Sequence, residues 1–208
     1  MTIRRHALFD FGGPLLLSPF ELSTPAEAKL GVPAGSLPRG PFDPEGDPRW
    51  KAWQAGDITE RQYWTERATP LGFDVPGYMN AFFEPSGNHL IRTEMADIVV
   101  EVQEAGFRSG LLTNDLSAFH GPAWRDPISV LKRFDPFVDL SMTGYLKPNP
   151  KAYTVAIEAM DADPADIVFI DDQPANVAAA ERAGIVGVWF DLTHVASTIG
   201  RFRQALAA

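Results

Sequence analysis

The chain has 208 residues, 45% hydrophobic and 22% charged, a composition typical of a globular protein that can hold an α/β core and a small second domain. The net charge of −9 argues against nucleic-acid binding, and no apolar run is long enough to span a membrane. Cysteine is absent, which excludes disulfides and thiol nucleophiles, and the N-terminal residues do not fit a signal peptide. We therefore expect a cytoplasmic protein, and the sequence makes no prediction of oligomeric state.

Four short apolar runs predict buried β-strands. They are Ala7–Phe9, Gly110–Leu112, Ile167–Ile170 and Val186–Phe190. The last three follow stretches with helical or loop character, which is the pattern of βαβ units around a parallel sheet. The predicted fold class is therefore α/β.

The helices are predicted from apolar spacing and from Pro and Gly at their ends. They cover Glu94–Ala105, Lys151–Met160, Asn176–Ala183 and Val195–Ala207. Directly after the first strand, residues 31–48 are rich in Gly and Pro and predict a loop, and residues 49–69 are amphipathic and aromatic. This stretch predicts a small helical insertion, whose tryptophans are expected to form its own core.

Polar side chains follow the predicted strands at their carboxyl ends, where ligands bind in open parallel sheets. They are Asp10, Thr113, Asn114, Asp171 and Asp172, with Lys147 in a loop just before a helix. Three carboxylates supply the hard oxygen ligands that Mg²⁺ prefers, and one of them could attack a phosphorus centre. Hydroxyl, ammonium and backbone N–H groups could hold the phosphoryl oxygens.

These motifs occur in the order strand-Asp10, strand-Thr113-Asn114, Lys-Pro-Asn-Pro from Lys147, and "FIDD" ending in Asp171 and Asp172. In this order the chain resembles the haloacid dehalogenase (HAD) superfamily of hydrolases along nearly its whole length. The resemblance implies a Rossmann-like, doubly wound parallel core over residues 1–16 and 91–208. It also implies a small α-helical cap over residues 17–90, which closes over the site and selects the substrate.

The resemblance further implies a Mg²⁺-dependent phosphomonoester hydrolase that acts on a small phosphorylated metabolite through an aspartyl-phosphate at Asp10. Lys147 and Thr113 would assist Asp10 in catalysis. The implied substrate-binding residues are Phe11, Gly12, Thr113, Asn114 and Lys147. The implied metal ligands are Asp10, the Gly12 carbonyl and Asp172, with Asp171 in support.

The first motif departs from the Asp-x-Asp of most phosphatases in this superfamily, because Gly12 stands where the second Asp acts as general acid and base. Three alternatives remain open. The chain is a phosphatase in which water, the substrate, Asp115 or His120 supplies the proton. It is a 2-haloacid dehalogenase, since a halide leaves without a proton. Or it is a catalytically weak or silent relative that binds a phosphorylated ligand or a protein.

Each residue also has a purely structural alternative. Asp10, Asp171 and Asp172 can cap helices, Thr113 and Asn114 can cap a turn, and Lys147 can be a solvated loop residue. Two adjacent acids at a buried strand end are costly without a cation, which favours the functional interpretation of the last motif.

Overall fold

The structure, a computed structural model, describes residues 6–114 and 116–208. These residues divide into two compact units. The core unit comprises the chain up to Leu16 together with Gly87–Ala208, and the inserted unit comprises Leu17–Ser86. Within the described stretches, no helix has both the length and the apolar character needed to cross a bilayer.

The core unit is built on one parallel sheet. Its described strands are His6–Phe9 (β1), Ser109–Thr113 (β2), Phe137–Asp139 (β3), Ile167–Asp171 (β4) and Val186–Trp189 (β5). They lie in the order β3-β2-β1-β4-β5, and every neighbouring pair is parallel. The order reverses direction at β1, so the sheet is doubly wound about its first strand. The predicted α/β fold with a parallel sheet is confirmed.

Helices surround the sheet and make up the inserted unit. The inserted unit has Ser23–Leu30 (α1), Pro48–Ala55 (α2), Glu60–Ala68 (α3) and Val75–Phe83 (α4). The described core unit has Thr93–Glu104 (α5), Leu116–Phe119 (α6), Pro122–Arg125 (α7), Pro150–Met160 (α8), Pro174–Arg182 (α9) and Val195–Ala207 (α10). The four helices predicted for the core correspond to α5, α8, α9 and α10 within two residues at each end.

The sheet is covered on both faces, because successive side chains of β1 point in opposite directions. Leu8 belongs to a buried cluster that includes Tyr153 of α8. On the opposite face, the ring of Phe9 lies 5.7 Å from that of Phe134 and 5.4 Å from that of Phe202. Burial on both sides explains why β1 is a continuous apolar run.

An aromatic cluster forms the interior of the inserted unit. Tyr63 and Trp64 of α3 are buried and lie edge to face with ring centroids 4.7 Å apart. Trp53 of α2 and Phe20 pack against both of them. These tryptophans contribute to the packing of their own unit, as the sequence predicted.

Candidate active site

The carboxyl ends of three neighbouring strands bring the predicted site residues together. Asp10 directly follows β1, Thr113 is the last residue of β2, and Asp171 is the last residue of β4. β1 lies between β2 and β4, at the point where the strand order reverses. Ligands bind at this point in doubly wound sheets.

Lys147 connects two of the acids. Its Nζ lies 2.8 Å from Oδ1 of Asp10 and 2.7 Å from Oδ2 of Asp171, and it donates a third hydrogen bond of 2.9 Å to the carbonyl of Leu112. The side chain is 1% exposed. Burial lowers the pKa of Lys147, but the charges and hydrogen bonds of Asp10 and Asp171 outweigh burial and raise the pKa above its ordinary value.

Asp10 is the other buried member of this ion-pair network. Burial, with a contribution from the charge of Asp171, raises the pKa of Asp10 to about 7, although Lys147 and the backbone N–H of Phe11 oppose the rise. That N–H donates to Oδ1 of Asp10 over 2.7 Å. One ammonium therefore does not fully compensate the negative charge of this cluster, and a further cation would favour the ionised form of Asp10.

Asn114 holds the backbone of Lys147 with both ends of its amide. Its Oδ1 accepts from the N–H of Lys147 at 2.8 Å, and its Nδ2 donates to the carbonyl of Lys147 at 3.2 Å. This contact fixes the loop that presents the ammonium. The predicted role of Asn114 in substrate binding stays a prediction, because its amide is already engaged with the protein.

The two late acids have different surroundings. Asp171 is fully buried and accepts from the N–H of Gln173 at 2.8 Å and from Nδ2 of Asn176 at 3.0 Å to each oxygen. Asp172 is half-buried and accepts from Nε2 of Gln173 at 3.2 Å. Asp172 is therefore the more accessible carboxylate of the two, whereas Asp171 is held in place by the protein.

The donor set fits a divalent cation. Asp10, Asp171 and Asp172 each offer a carboxylate oxygen, and these oxygens lie within 4.8 Å of one another. Oxygen donors at such separations suit Mg²⁺. Gly13 packs closely on this cluster: its φ is +86°, and an added Cβ would lie 2.7 Å from Cγ of Asp172.

The remaining predicted residues lie at the same edge or beside it. Thr113 is buried at the end of β2. Gly12 is exposed, and an added Cβ there would meet no described atom within 4 Å. The ring of Phe11 is buried edge to face with that of Trp124. The coordination by the Gly12 carbonyl stays a prediction.

The sequence offered Asp115 and His120 as alternative proton donors, and the structure describes only His120. Asp115 lies outside the described residues. His120 is buried, and its ring stacks on Trp124 with centroids 3.8 Å apart. Burial lowers the pKa of His120 to about 4, so at neutral pH its imidazole is uncharged. An uncharged imidazole is a weak proton donor, which weakens the case for His120 as the general acid.

Arg92 was not identified from the sequence, yet it holds the loop that follows Asp10. Its side chain donates to the carbonyls of Pro14 at 3.2 Å and Gly13 at 3.0 Å, and its backbone N–H donates to the carbonyl of Leu15 at 2.7 Å. Arg92 immediately precedes α5 and lies about eighty residues from this loop. A sequence pattern offers no signal for such a distant contact.

Comparison with known proteins places the chain in a family. A family model described as haloacid dehalogenase-like hydrolase matches residues 42–184, well over half of the chain. The matched stretch contains Thr113, Lys147, Asp171 and Asp172, and Asp10 lies before it. A HAD-like family hydrolase of Porphyromonas gingivalis superposes with a TM-score of 0.55 at 24% identity, over 97% of this chain and 98% of that one. A dehalogenase solved with an intermediate complex gives a TM-score of 0.65 at 15% identity, over 92% and 86%.

Sequence relatives are distant. The mouse protein named acyl-CoA dehydrogenase family member 10 is 24% identical over 189 residues, which are 87% of this chain and 17% of that protein. The sesquiterpene phosphatase astK of Aspergillus oryzae is 24% identical over 205 residues, which cover 98% of this chain and 97% of that protein. The chain spans well under half the length of several curated relatives, the mouse protein among them. From the family match and the shared fold, the chain belongs to the haloacid dehalogenase-like hydrolases.

Proposed function

We propose that this chain is a Mg²⁺-dependent phosphomonoester hydrolase that acts on a small phosphorylated metabolite. The observation that carries the proposal is the convergence of Asp10, Lys147, Asp171 and Asp172 at one edge of the sheet. A buried ammonium bridging two acids, with a third acid beside them, is suited to binding a divalent ion and a phosphoryl group together.

In the proposed reaction, a carboxylate oxygen of Asp10 attacks phosphorus and the leaving oxygen departs, which gives an aspartyl-phosphate. The oxygen of a water molecule then bonds to phosphorus, the bond from phosphorus to the Asp10 oxygen breaks, and the carboxylate is regenerated while the departing phosphate and bulk water take up the protons of the attacking water. Lys147 favours the ionised form of Asp10 and orients it for attack, because its ammonium is held against Oδ1 of that residue. The Thr113 hydroxyl at the end of β2 is proposed to donate to phosphoryl oxygens, and the positive charge of Lys147 attracts them.

The residues proposed to hold Mg²⁺ are Asp10, Asp172 and the Gly12 carbonyl, with Asp171 behind them. When bound, the ion would neutralise negative charge on the acids and on the phosphoryl group. Asp171 is proposed to act through its hydrogen bonds and charge, because both of its oxygens accept from protein donors.

A sequence relative supports the proposal of phosphatase activity. The A. oryzae protein matched along almost its whole length carries the name of a phosphatase. We propose that the inserted unit, Leu17–Ser86, acts as the cap that selects the substrate. We also propose a cytoplasmic location, in keeping with the absence of cysteine.

The proposal is tested with a panel of phosphate esters, with released phosphate measured in the presence of Mg²⁺ or of a chelator. We expect metal-dependent release that Asp10→Asn abolishes and Glu158→Gln, an exposed acid on α8, leaves intact. Failure to release phosphate from every ester would overturn the enzyme proposal and favour a silent, ligand-binding relative.

A 2-haloacid dehalogenase is the second candidate, favoured by Gly12, since a halide leaves without a proton, and by the fold shared with a solved dehalogenase. The acid cluster argues for a metal and against this candidate. Chloride release from a 2-haloacid in the presence of chelator would establish it, and its absence alongside phosphate release would dismiss it.

A further inference from the structure

We propose that the substrates of this enzyme are aryl, enol or acyl phosphates, whose leaving oxygen departs as a stable anion without being protonated. The inference rests on the proposed phosphatase function and narrows its substrate class. It starts from the position two residues after Asp10, where Gly12 offers no side chain to donate a proton.

The backbone at Gly12 has room for a Cβ. An added Cβ would meet no atom within 4 Å among the described residues, and φ of Gly12 is outside the left-handed region. The neighbouring Gly13 differs in both respects, because its φ is +86° and its added Cβ would strike Asp172. The chain therefore lacks an acid at Gly12 although the backbone could carry one.

Three polar groups of the described core unit are poorly suited to replace that acid. The three N–H bonds of Lys147 are directed at Asp10, Asp171 and the Leu112 carbonyl. Both oxygens of Asp171 accept hydrogen bonds as a carboxylate. His120 is stacked on Trp124 in a buried position, where its imidazole is uncharged at neutral pH.

The missing acid has a defined chemical consequence. When Asp10 forms its bond to phosphorus, the bond from phosphorus to the leaving oxygen breaks and its electron pair stays on that oxygen. An alkoxide is a strong base and needs a proton at this moment, whereas a phenolate, enolate or carboxylate is stable enough to depart as the anion. A general acid typically contributes about 10²- to 10⁴-fold, and this contribution matters most for the poorest leaving groups.

The test is the dependence of kcat/KM on the pKa of the leaving group. A series of substituted phenyl phosphates, acetyl phosphate and an alkyl phosphate is assayed with the wild-type chain and with Gly12→Asp. We expect a steep fall of wild-type kcat/KM as the leaving-group pKa rises. Gly12→Asp should flatten the slope, so that the ratio of kcat/KM for the alkyl phosphate to kcat/KM for the nitrophenyl ester rises roughly 10- to 10³-fold.

Gly12→Asn is the matched control, because it has the same size as Asp and no carboxylic acid. It should keep the wild-type slope whatever its absolute rate. A shallow wild-type slope would overturn the inference, since another group would then be donating the proton, and this measurement does not depend on how any variant folds. Phosphate release with a shallow slope refutes this inference alone, whereas no release from any ester refutes the proposed function itself.

Discussion

At the scale of single residues, Gly13 is held in the left-handed region in contact with an acid. The residue has a φ of +86°, and an added Cβ would lie 2.7 Å from Cγ and 2.8 Å from Oδ2 of Asp172. Gly106 has nearly the same φ, +85°, but an added Cβ there meets no described atom within 4 Å. Substitution of Gly106 by Ala would therefore introduce backbone strain alone. Substitution of Gly13 would introduce the same strain and would also displace Asp172, the proposed ligand.

We expect Gly13→Ala to weaken the apparent affinity for Mg²⁺ and to lower kcat/KM by about 10- to 100-fold, the usual effect of disturbing the support of a metal ligand. The measurement is phosphate release as a function of Mg²⁺ concentration. Gly106→Ala carries a similar strain and should keep its Mg²⁺ dependence. Equal effects of the two substitutions would show that strain alone is responsible.

His120 makes stability depend on pH, because burial lowers its pKa to about 4 whereas the unfolded chain takes up the proton near pH 6.5. Below pH 6.5 the unfolded state therefore binds more protons than the folded state. The free energy of unfolding should fall by about 2 kcal/mol between pH 7.5 and pH 5 from this residue. Urea unfolding of wild type and His120→Phe at pH 7.5 and 5 tests this, and an equal fall in both proteins would contradict it.

The placement of the candidate site residues was predictable where they follow a buried strand, because a parallel sheet gathers its carboxyl ends at one edge. Asp10, Thr113 and Asp171 were identified in this way, and the structure brings their strand ends together. The amide contact of Asn114 with the Lys147 backbone was not predictable, since it depends on a loop 33 residues away. The hold of Arg92 on the loop after Asp10 is of the same kind.

At the scale of elements, a strand or helix can be predicted from the sequence when its pattern of apolar residues is long enough to be recognised. β2 and β4 are buried throughout, and their apolar runs predicted them. β3 has three residues, all half-buried, and was not identified. α1 contains few apolar residues and α4 contains Pro76 and Gly77, so neither gave a helical pattern. The amphipathic stretch predicted over residues 49–69 forms two helices, divided at Gly56, whose φ is +81°.

Asp47 links the first of those two helices to the second. It caps α2 by accepting from the N–H of Trp50 at 3.0 Å, accepts from the Tyr63 hydroxyl at 2.5 Å, and pairs with Arg67 of α3. Its side chain is 1% exposed. A buried acid with three donors, two of them on the neighbouring helix, is a strong constraint on how α2 packs on α3.

We expect Asp47→Ala to destabilise the inserted unit by about 3 kcal/mol, because the substitution leaves Tyr63 and Arg67 without their acceptor. Thr59→Ala removes another cap, that of α3, and should cost about 1 kcal/mol because no buried charge is lost. Hydrogen exchange of the α2 and α3 amides measures both. If these amides are as well protected from exchange in the Asp47→Ala variant as in the Thr59→Ala variant, the hydrogen bonds of Asp47 contribute no more to stability than a helix cap does.

At the scale of the whole molecule, the chain carries a net charge of −9 and gathers three acids at one sheet edge. A cation that binds only the folded state stabilises it by mass action, by about 2.7 kcal/mol at a concentration one hundredfold above its Kd. Binding at one specific site can be told apart from general screening, because screening acts on all surface acids alike.

We expect Mg²⁺ to raise the Tm of the wild-type chain and to raise that of Asp172→Asn much less. The measurement is thermal unfolding followed by circular dichroism, with NaCl at matched ionic strength as the reference. Glu158→Gln removes an exposed acid from α8 and should respond to Mg²⁺ as the wild type does. A similar response from all three proteins would mean that the cation acts through the net charge.

The position of β1 bears on how the chain is made. This strand is at the centre of the sheet, yet its partner Ile167 follows His6 by about 160 residues. At the usual pace of ribosomal synthesis, about 5–20 residues per second, β1 emerges roughly 8–30 seconds before β4 can join it. During that interval the edge of β1 that pairs with β4 stays open, because β2 is the only one of its two partner strands that has been synthesised earlier. The segment just before the proposed nucleophile is therefore an early target for chaperones and an early risk for aggregation.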